Sequence, residues 1–271
     1  MDYLYSIILG IVQGLTEFWP ISSSGHLIIA HELLNFNFVD NLSFDVALHL
    51  GTLAALLVFF SKDLARYIVS FFRSFANWNL ANDFNQRMAW YIVVGSIPAG
   101  VAGFFLESKA DTVFRNLWLV AVLFVAVGLL FFVFEKYSKK IKNLEELSWR
   151  GAIIIGLMQV LSLLPGVSRS GITILGGLSQ GLKREQAARF SFLLSVPVIF
   201  GAGLKKMYDG LQAGFTGGEW LIILVGFLTS AGVGYLAIRV LLSFLQRRPL
   251  NAFAYYRIIL GLAVIIFLIF K

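Results

Sequence analysis

The sequence predicts an all-α polytopic membrane protein of two inverted repeats, each a broken re-entrant helix hairpin followed by three transmembrane helices. Three observations predict it. The 271 residues are 58% hydrophobic and 14% charged, with a mean hydropathy of +0.81, a composition of helical membrane bundles rather than soluble domains. Six apolar stretches reach or approach the ~20 residues that a helix needs to cross a bilayer. One long polar-in-apolar pattern occurs twice.

The first copy, at 10–28, reads GIVQGLTEFWPISSSGHLI, and the second, at 156–174, reads GLMQVLSLLPGVSRSGITI. The offset is a constant 146 positions. Gly10, Gln13, Ser22, Ser24, Gly25 and Ile28 return as Gly156, Gln159, Ser168, Ser170, Gly171 and Ile174. Glu17 is replaced by Leu163, Ser23 by Arg169 and His26 by Ile172. One copy thus keeps a carboxylate, an imidazole and hydroxyls, and the other supplies a fixed cation. The two are expected to meet and build one site. Pro20 and Gly25 interrupt the first helix, and broken backbone at membrane depth is tolerated only inside protein or along a wet cavity.

Taken in order, a hairpin at 3–34 is followed by spans at 46–60, 88–106 and 116–134. A second hairpin at 149–182 is followed by spans at 189–204, 219–245 and 253–270. A charged linker near 136–147 separates repeat one (about 1–135) from repeat two (about 148–271), and the whole chain is read as a single intertwined domain. If the 61–87 loop is cytoplasmic, that side collects Lys62, Arg66, Arg73, Arg87, Lys136, Lys139, Lys140, Lys142, Arg150, Lys183, Arg184, Arg247 and Arg248. The opposite side keeps Lys109, Arg115, Lys205, Lys206 and Lys271. Thirteen against five satisfies the positive-inside rule. Each repeat has three crossings, an odd number, so the second copy is inverted relative to the first, an arrangement known in transporters.

The net charge of +7 is accounted for by these loops, which argues against nucleic acid as a partner. There are no cysteines, which excludes disulfides and thiolate metal sites. The N-terminal MDYLYS lacks the basic start of a cleaved signal peptide, so the first motif is expected to stay in the chain.

Ionisable groups at membrane depth point to function. Gln13 and Glu17 are four residues apart and share a helix face. Such a pair suits interhelical hydrogen bonding or a divalent cation, since Mg²⁺ takes one or two carboxylates plus phosphate oxygens. Ser22, Ser23 and Ser24 before Gly25 suit an anion-receiving turn, and His26 lies close enough to serve a serine as general base or acid. Arg169, between Ser168 and Ser170 and followed by Thr173, suits phosphate through its planar fork, with an ion pair to Glu17 as the structural alternative. His31 and His49 are read as interface or packing residues. Glu32, Asp40 and Asp45 are expected near the outer surface, and Arg239 and Arg257 are expected to snorkel at the cytoplasmic ends. The 136–142 lysines suit anionic lipid head groups. Together these parts suit phosphoryl transfer on a phosphorylated lipid.

GLTEFWPISSSGHL with PGVSRSGIT, and FSFLLSVP at 190–197, resembles the undecaprenyl-diphosphate phosphatase family of bacteria, the bacitracin-resistance type, over nearly the whole chain. The resemblance implies hydrolysis of undecaprenyl diphosphate, recycling of the lipid carrier for peptidoglycan, and dependence on a divalent cation, Mg²⁺ or Ca²⁺. It further implies a bacterial plasma-membrane location with the site facing outward, and a homodimer. Glu17, Ser23, His26 and Arg169 are the expected catalytic residues, with Glu17 the metal ligand. Gln13, Ser22, Ser24, Ser168, Ser170 and Thr173 are expected at the substrate. Gln13 stands where many members carry Glu, and Ser24 where Thr also appears. In the expected mechanism Ser23 attacks the terminal phosphorus and His26 takes its proton, with attack by water as the alternative. A transporter or flippase using the pocket for head-group binding is the rival class. A second phosphatase family shares the Ser24-Gly25-His26 string, but its distant downstream His has no counterpart after His49.

Overall fold

Proline and glycine in the two motifs decide the path of the chain. The computed structural model describes residues 2–34, 41–112, 116–213 and 217–270. Asp40, Arg115 and Lys271, and the side chains of Lys109, Lys205 and Lys206, lie outside the described residues. Repeat one comprises α1 (Asp2–Phe18), α2 (Ser23–Leu34), α3 (Asn41–Phe59), α4 (Ser61–Ala76), α5 (Phe84–Thr112) and α6 (Leu117–Tyr137). Repeat two comprises α7 (Trp149–Val160), α8 (Arg169–Ser179), α9 (Arg184–Ala213), α10 (Gly217–Arg247) and α11 (Asn251–Phe270). Among the described residues there is no strand, only an isolated bridge between Lys142 and Leu182. The protein is a multi-pass membrane protein: α5, α6, α9, α10 and α11 are each long and apolar enough to cross, and α3 and α4 are apolar enough only when taken together, with a bend of 81° at their junction.

The α4 helix falls where the sequence suggested only a loop. Its Ile68, Val69, Phe72 and Phe75 are exposed, while Asp63 pairs with Arg66 at 2.7 Å and with Arg189 of α9 at 2.9 Å. An apolar stripe beside charged groups is the pattern of a helix lying in the membrane interface. Its charges lower the mean hydropathy of any window that contains it, which hides it from a search for spans.

Leaving α4 aside, the elements run in the same order twice. They exchange partners: α1 packs on α10 and α7 on α5, α3 packs on α9 and α10, and α6 packs on α11. Each re-entrant hairpin therefore rests on a crossing helix of the other repeat. The close approach is made by glycines at matching positions. A Cβ on Gly10 would lie 2.9 Å from the Gly226 carbonyl oxygen, and one on Gly156 only 2.3 Å from that of Gly95. Backbone sits on the far side of both contacts and cannot rotate away. Gly156→Ala is therefore expected to destabilise the α5–α7 contact by about 1–3 kcal/mol, read as a lower thermal midpoint in detergent.

The basic connections gather at one end of the bundle. Glu135 at the end of α6 accepts from Arg184 of α9, at 3.0 Å from Nε, and from the Leu250 N–H at 3.3 Å. The Tyr91 hydroxyl of α5 donates to the Leu147 carbonyl at 3.0 Å. These contacts, with the Asp63–Arg189 pair, place all the loops of the basic set together.

Candidate active site

The site is built where the two hairpins break. In repeat one, α1 stops at Phe18, because Pro20 has no N–H to continue the ladder, and the chain turns to restart at Ser23. In repeat two, α7 runs into a short 3₁₀ turn at Leu161–Leu163, Pro165 stops it, and α8 starts at Arg169. Each restart passes through a serine in the left-handed region, Ser22 at φ 75° and Ser168 at φ 74°. Such a conformation is costly for a residue with a Cβ and persists where surrounding contacts hold it. Here the Ser168 hydroxyl accepts from the Gly171 N–H at 3.1 Å, capping α8. The Ser22 hydroxyl accepts from the Gly25 N–H at 3.4 Å and from the Gly166 N–H of the other break at 3.2 Å. Ser170 donates back to the Trp19 carbonyl at 3.2 Å. The breaks are thus stitched together, and the N-termini of α2 and α8 meet. The first N–H groups of a helix have no partner within it and favour an anion.

Between them lies a cavity of about 310 Å³, lined by Glu17, Ser22, Ser23, Ser24, His49, Ser162, Ser168 and Arg169. Its apolar wall is Val46 of α3 with Val198, Ile199 and Ala202 of α9. Glu17, buried at the end of α1, is the focus. Its Oε1 is paired with the Arg169 guanidinium, the ion pair between repeats expected as the structural alternative. Its Oε2 accepts from the Ser23 hydroxyl at 2.6 Å and from the Gln13 amide at 2.8 Å. His49 Nε2 faces the same oxygen at 3.5 Å.

The remaining expected site residues divide. Ser22, Ser24 and Ser168 line the cavity with Ser23, Glu17 and Arg169. Gln13 stands behind Glu17. Ser170 and Thr173 are buried behind the α8 turn, where Thr173 donates to the Arg169 carbonyl at 2.7 Å and bonds the Ser191 hydroxyl at 2.6 Å; they brace Arg169 rather than line the cavity. His26 does not meet Ser23 or Glu17. Its Nδ1 donates to the Ser22 carbonyl at 2.7 Å, and its Nε2 bonds the Tyr256 hydroxyl at 2.8 Å, with the ring stacked on Tyr256. One helical turn separates Ser22 from His26 on the outer face of α2, which sends the ring towards α11.

Three residues outside the motifs were misplaced by sequence reasoning. His49, read as packing, is the imidazole beside Glu17; nothing in its apolar surroundings along α3 signals this. Arg257, expected to snorkel, is 0% exposed. It donates to the Pro20 carbonyl at 3.2 Å, to the Leu123 carbonyl at 3.4 Å and to the Gly166 carbonyl, and it lies over the rings of Phe124 and Phe131. One side chain of α11 therefore clamps the break of each repeat. Asp45, expected to be solvated, is buried and bonds His31 at 2.8 Å.

Comparison with known proteins places the chain in a family. A family model described as bacitracin resistance protein BacA matches residues 6–263. An undecaprenyl-diphosphatase of Rubrobacter xylanophilus is 46% identical over 263 residues, covering 96% of each chain. One of Geobacter sulfurreducens is 44% identical over 272 residues, covering 99% of each. One of Thermobifida fusca is 40% identical over 268 residues, covering 98% of this chain and 90% of its own. With two broken hairpins meeting at Glu17 and Arg169, and a family match spanning both, the chain belongs to the BacA bacitracin-resistance family.

Proposed function

We propose that the protein is a membrane-embedded phosphatase that hydrolyses undecaprenyl diphosphate to undecaprenyl phosphate and phosphate, returning the lipid carrier to wall synthesis. One observation carries the mechanism: the Ser23 hydroxyl is held at 2.6 Å by a buried carboxylate, which is itself paired with a cation from the opposite repeat. That is a nucleophile, its base and a phosphate-binding group in one cavity.

The terminal phosphoryl group docks against Arg169 and the first N–H groups of α2 and α8. Its oxygens take over the guanidinium, which releases Glu17 to accept the Ser23 proton. Ser23 Oγ bonds to phosphorus as the bridging P–O bond breaks, and undecaprenyl phosphate leaves with the electron pair. Glu17 passes the Ser23 proton to the departing undecaprenyl phosphate. Water then attacks the phosphoserine, its proton going to Glu17 and on to Ser23 Oγ as the P–Oγ bond breaks and inorganic phosphate departs. The geometry favours Glu17 over His26 as the base. His26, held by Tyr256, orients the Ser22 turn. The apolar wall of α3 and α9 receives the first part of the lipid chain.

A divalent cation fits the donor set. The Gln13 Oε1 is buried with no hydrogen-bond partner, one helical turn from Glu17. Turned about to face Glu17 in place of the amide N–H that now does, that oxygen and the carboxylate would suit Mg²⁺ or Ca²⁺. Gln13 and Glu17 would hold it, and it would neutralise charge on the diphosphate oxygens. The basic loops gathered at one end support a plasma-membrane orientation with that end cytoplasmic and the cavity reached from outside.

The test is phosphate release from undecaprenyl diphosphate by purified protein, with Mg²⁺ and with EDTA. Ser23→Ala is expected to lower kcat by at least ~10²-fold, with loss of a phosphoenzyme trapped by acid quench. His26→Gln is expected to cost less than Ser23→Ala. Full activity in Ser23→Ala, or no release by well-folded wild type, would refute the reading.

A further inference from the structure

A second, larger groove of about 600 Å³ lies at the opposite end of α8 from Arg169, between the end of α6, the linker joining the repeats and the α8–α9 turn. Its apolar side is Val133 and Phe134 of α6 with Ile141, and its polar side is Lys139, Lys142 and Gln180. Val133, Tyr137 and Ile141 are 47%, 73% and 64% exposed, so the wall is open to the surroundings of the bundle. The linker itself is fixed: the Ile141 and Lys142 N–H groups donate to the Gly181 carbonyl at 3.0 and 2.9 Å, and the Lys183 N–H donates to Lys142 at 2.9 Å.

The nearby charges are unevenly matched. Glu135 engages Arg184 and Lys140, and Lys136 lies over the Tyr137 ring. Glu146 is bound to the Asn143 N–H at 2.8 Å, and Glu145 is not part of the groove. Lys139 and Lys142 thus line it with no carboxylate within ion-pair distance among the described residues. Two such lysines on a rigid scaffold, at the end of the bundle where basic loops collect and beside an exposed apolar helix face, fit a phosphate whose chains run along α6.

We propose that this groove is a binding site for one anionic phospholipid, with the phosphodiester between Lys139 and Lys142 and an acyl chain against Val133 and Phe134. It is separate from the hydrolytic cavity and does not depend on the reaction proposed for it. Because α8 ends in this groove and starts at Arg169, an occupied groove would also buttress the helix that carries Arg169.

The experiment is thermal unfolding of the full chain in detergent with phosphatidylglycerol, phosphatidylcholine or inorganic phosphate added. Phosphatidylglycerol at tenfold over Kd is expected to raise the midpoint by roughly 3–6 °C. Phosphatidylcholine and inorganic phosphate are expected to leave it in place. The double variant Lys139→Gln, Lys142→Gln is expected to lose the shift, and Arg169→Gln to keep it. A shift retained in the lysine double variant would overturn the proposal. So would one abolished by Arg169→Gln, which would assign the lipid to the hydrolytic cavity, or one reproduced by inorganic phosphate.

Discussion

Arg169→Ala is expected to reduce phosphate release by about 10²–10³-fold or more, as loss of a group aimed at transition-state charge does. The guanidinium holds Glu17 before substrate arrives and the phosphoryl oxygens afterwards, so the variant loses both functions. It also leaves the Glu17 carboxylate buried without its cation, and breaking a buried pair costs about 3–5 kcal/mol. Activity and thermal midpoint should therefore fall together. Glu17→Gln probes the other partner of the pair. The amide can still accept from Ser23, but it is not a base, so activity should fall as far while Arg169 is left unpaired. Combining Glu17→Ala with Arg169→Ala should recover part of the lost stability and none of the activity, because neighbouring changes in one network do not add. Phosphate-release kinetics and detergent unfolding on the same preparations check this. Wild-type turnover in Arg169→Ala would end the two-repeat site.

Arg257→Leu is expected to be the most damaging change outside the cavity. It removes a donor to the Leu123 carbonyl within α6 and to the buried Pro20 and Gly166 carbonyls at the breaks, and each unsatisfied buried group costs about 1–3 kcal/mol. The carbonyls at the breaks lie two residues before Ser22 and Ser168, the positions of left-handed backbone. When the clamp is lost, the breaks lose the contacts that keep those conformations, and the α2 and α8 N-termini lose their alignment. The expected readout is a fall in both thermal midpoint and kcat, with KM changed less. Arg257→Lys should recover only part of either, because an ammonium is a compact point charge and cannot reproduce the planar fork across three carbonyls. Unchanged stability in a folded Arg257→Leu protein would show that the clamp does not hold the breaks.

The membrane architecture was legible because hydropathy and repetition are properties of the chain itself. Spans need about 20 apolar residues, Pro20 and Pro165 fall where the motif helices break, and the 146-position offset exposes Ser22 and Ser168 as equivalents before any coordinates. The expected meeting of Glu17 with Arg169 followed from the cost of leaving either charge unpaired in an apolar setting. The direction of side chains was not legible. His26 is three residues from Ser23 in sequence, yet the turn of α2 carries its ring to Tyr256, 230 residues away. His49 reaches Glu17 only because α3 packs beside α1, and Arg257 reaches both breaks only because α11 packs on α6. Periodicity states which residues share a helix face, whereas the neighbour that face meets depends on packing between helices distant in sequence. The tertiary structure therefore decided which carboxylate holds Ser23, which imidazole lies beside it, and which arginine ties the two repeats into one site.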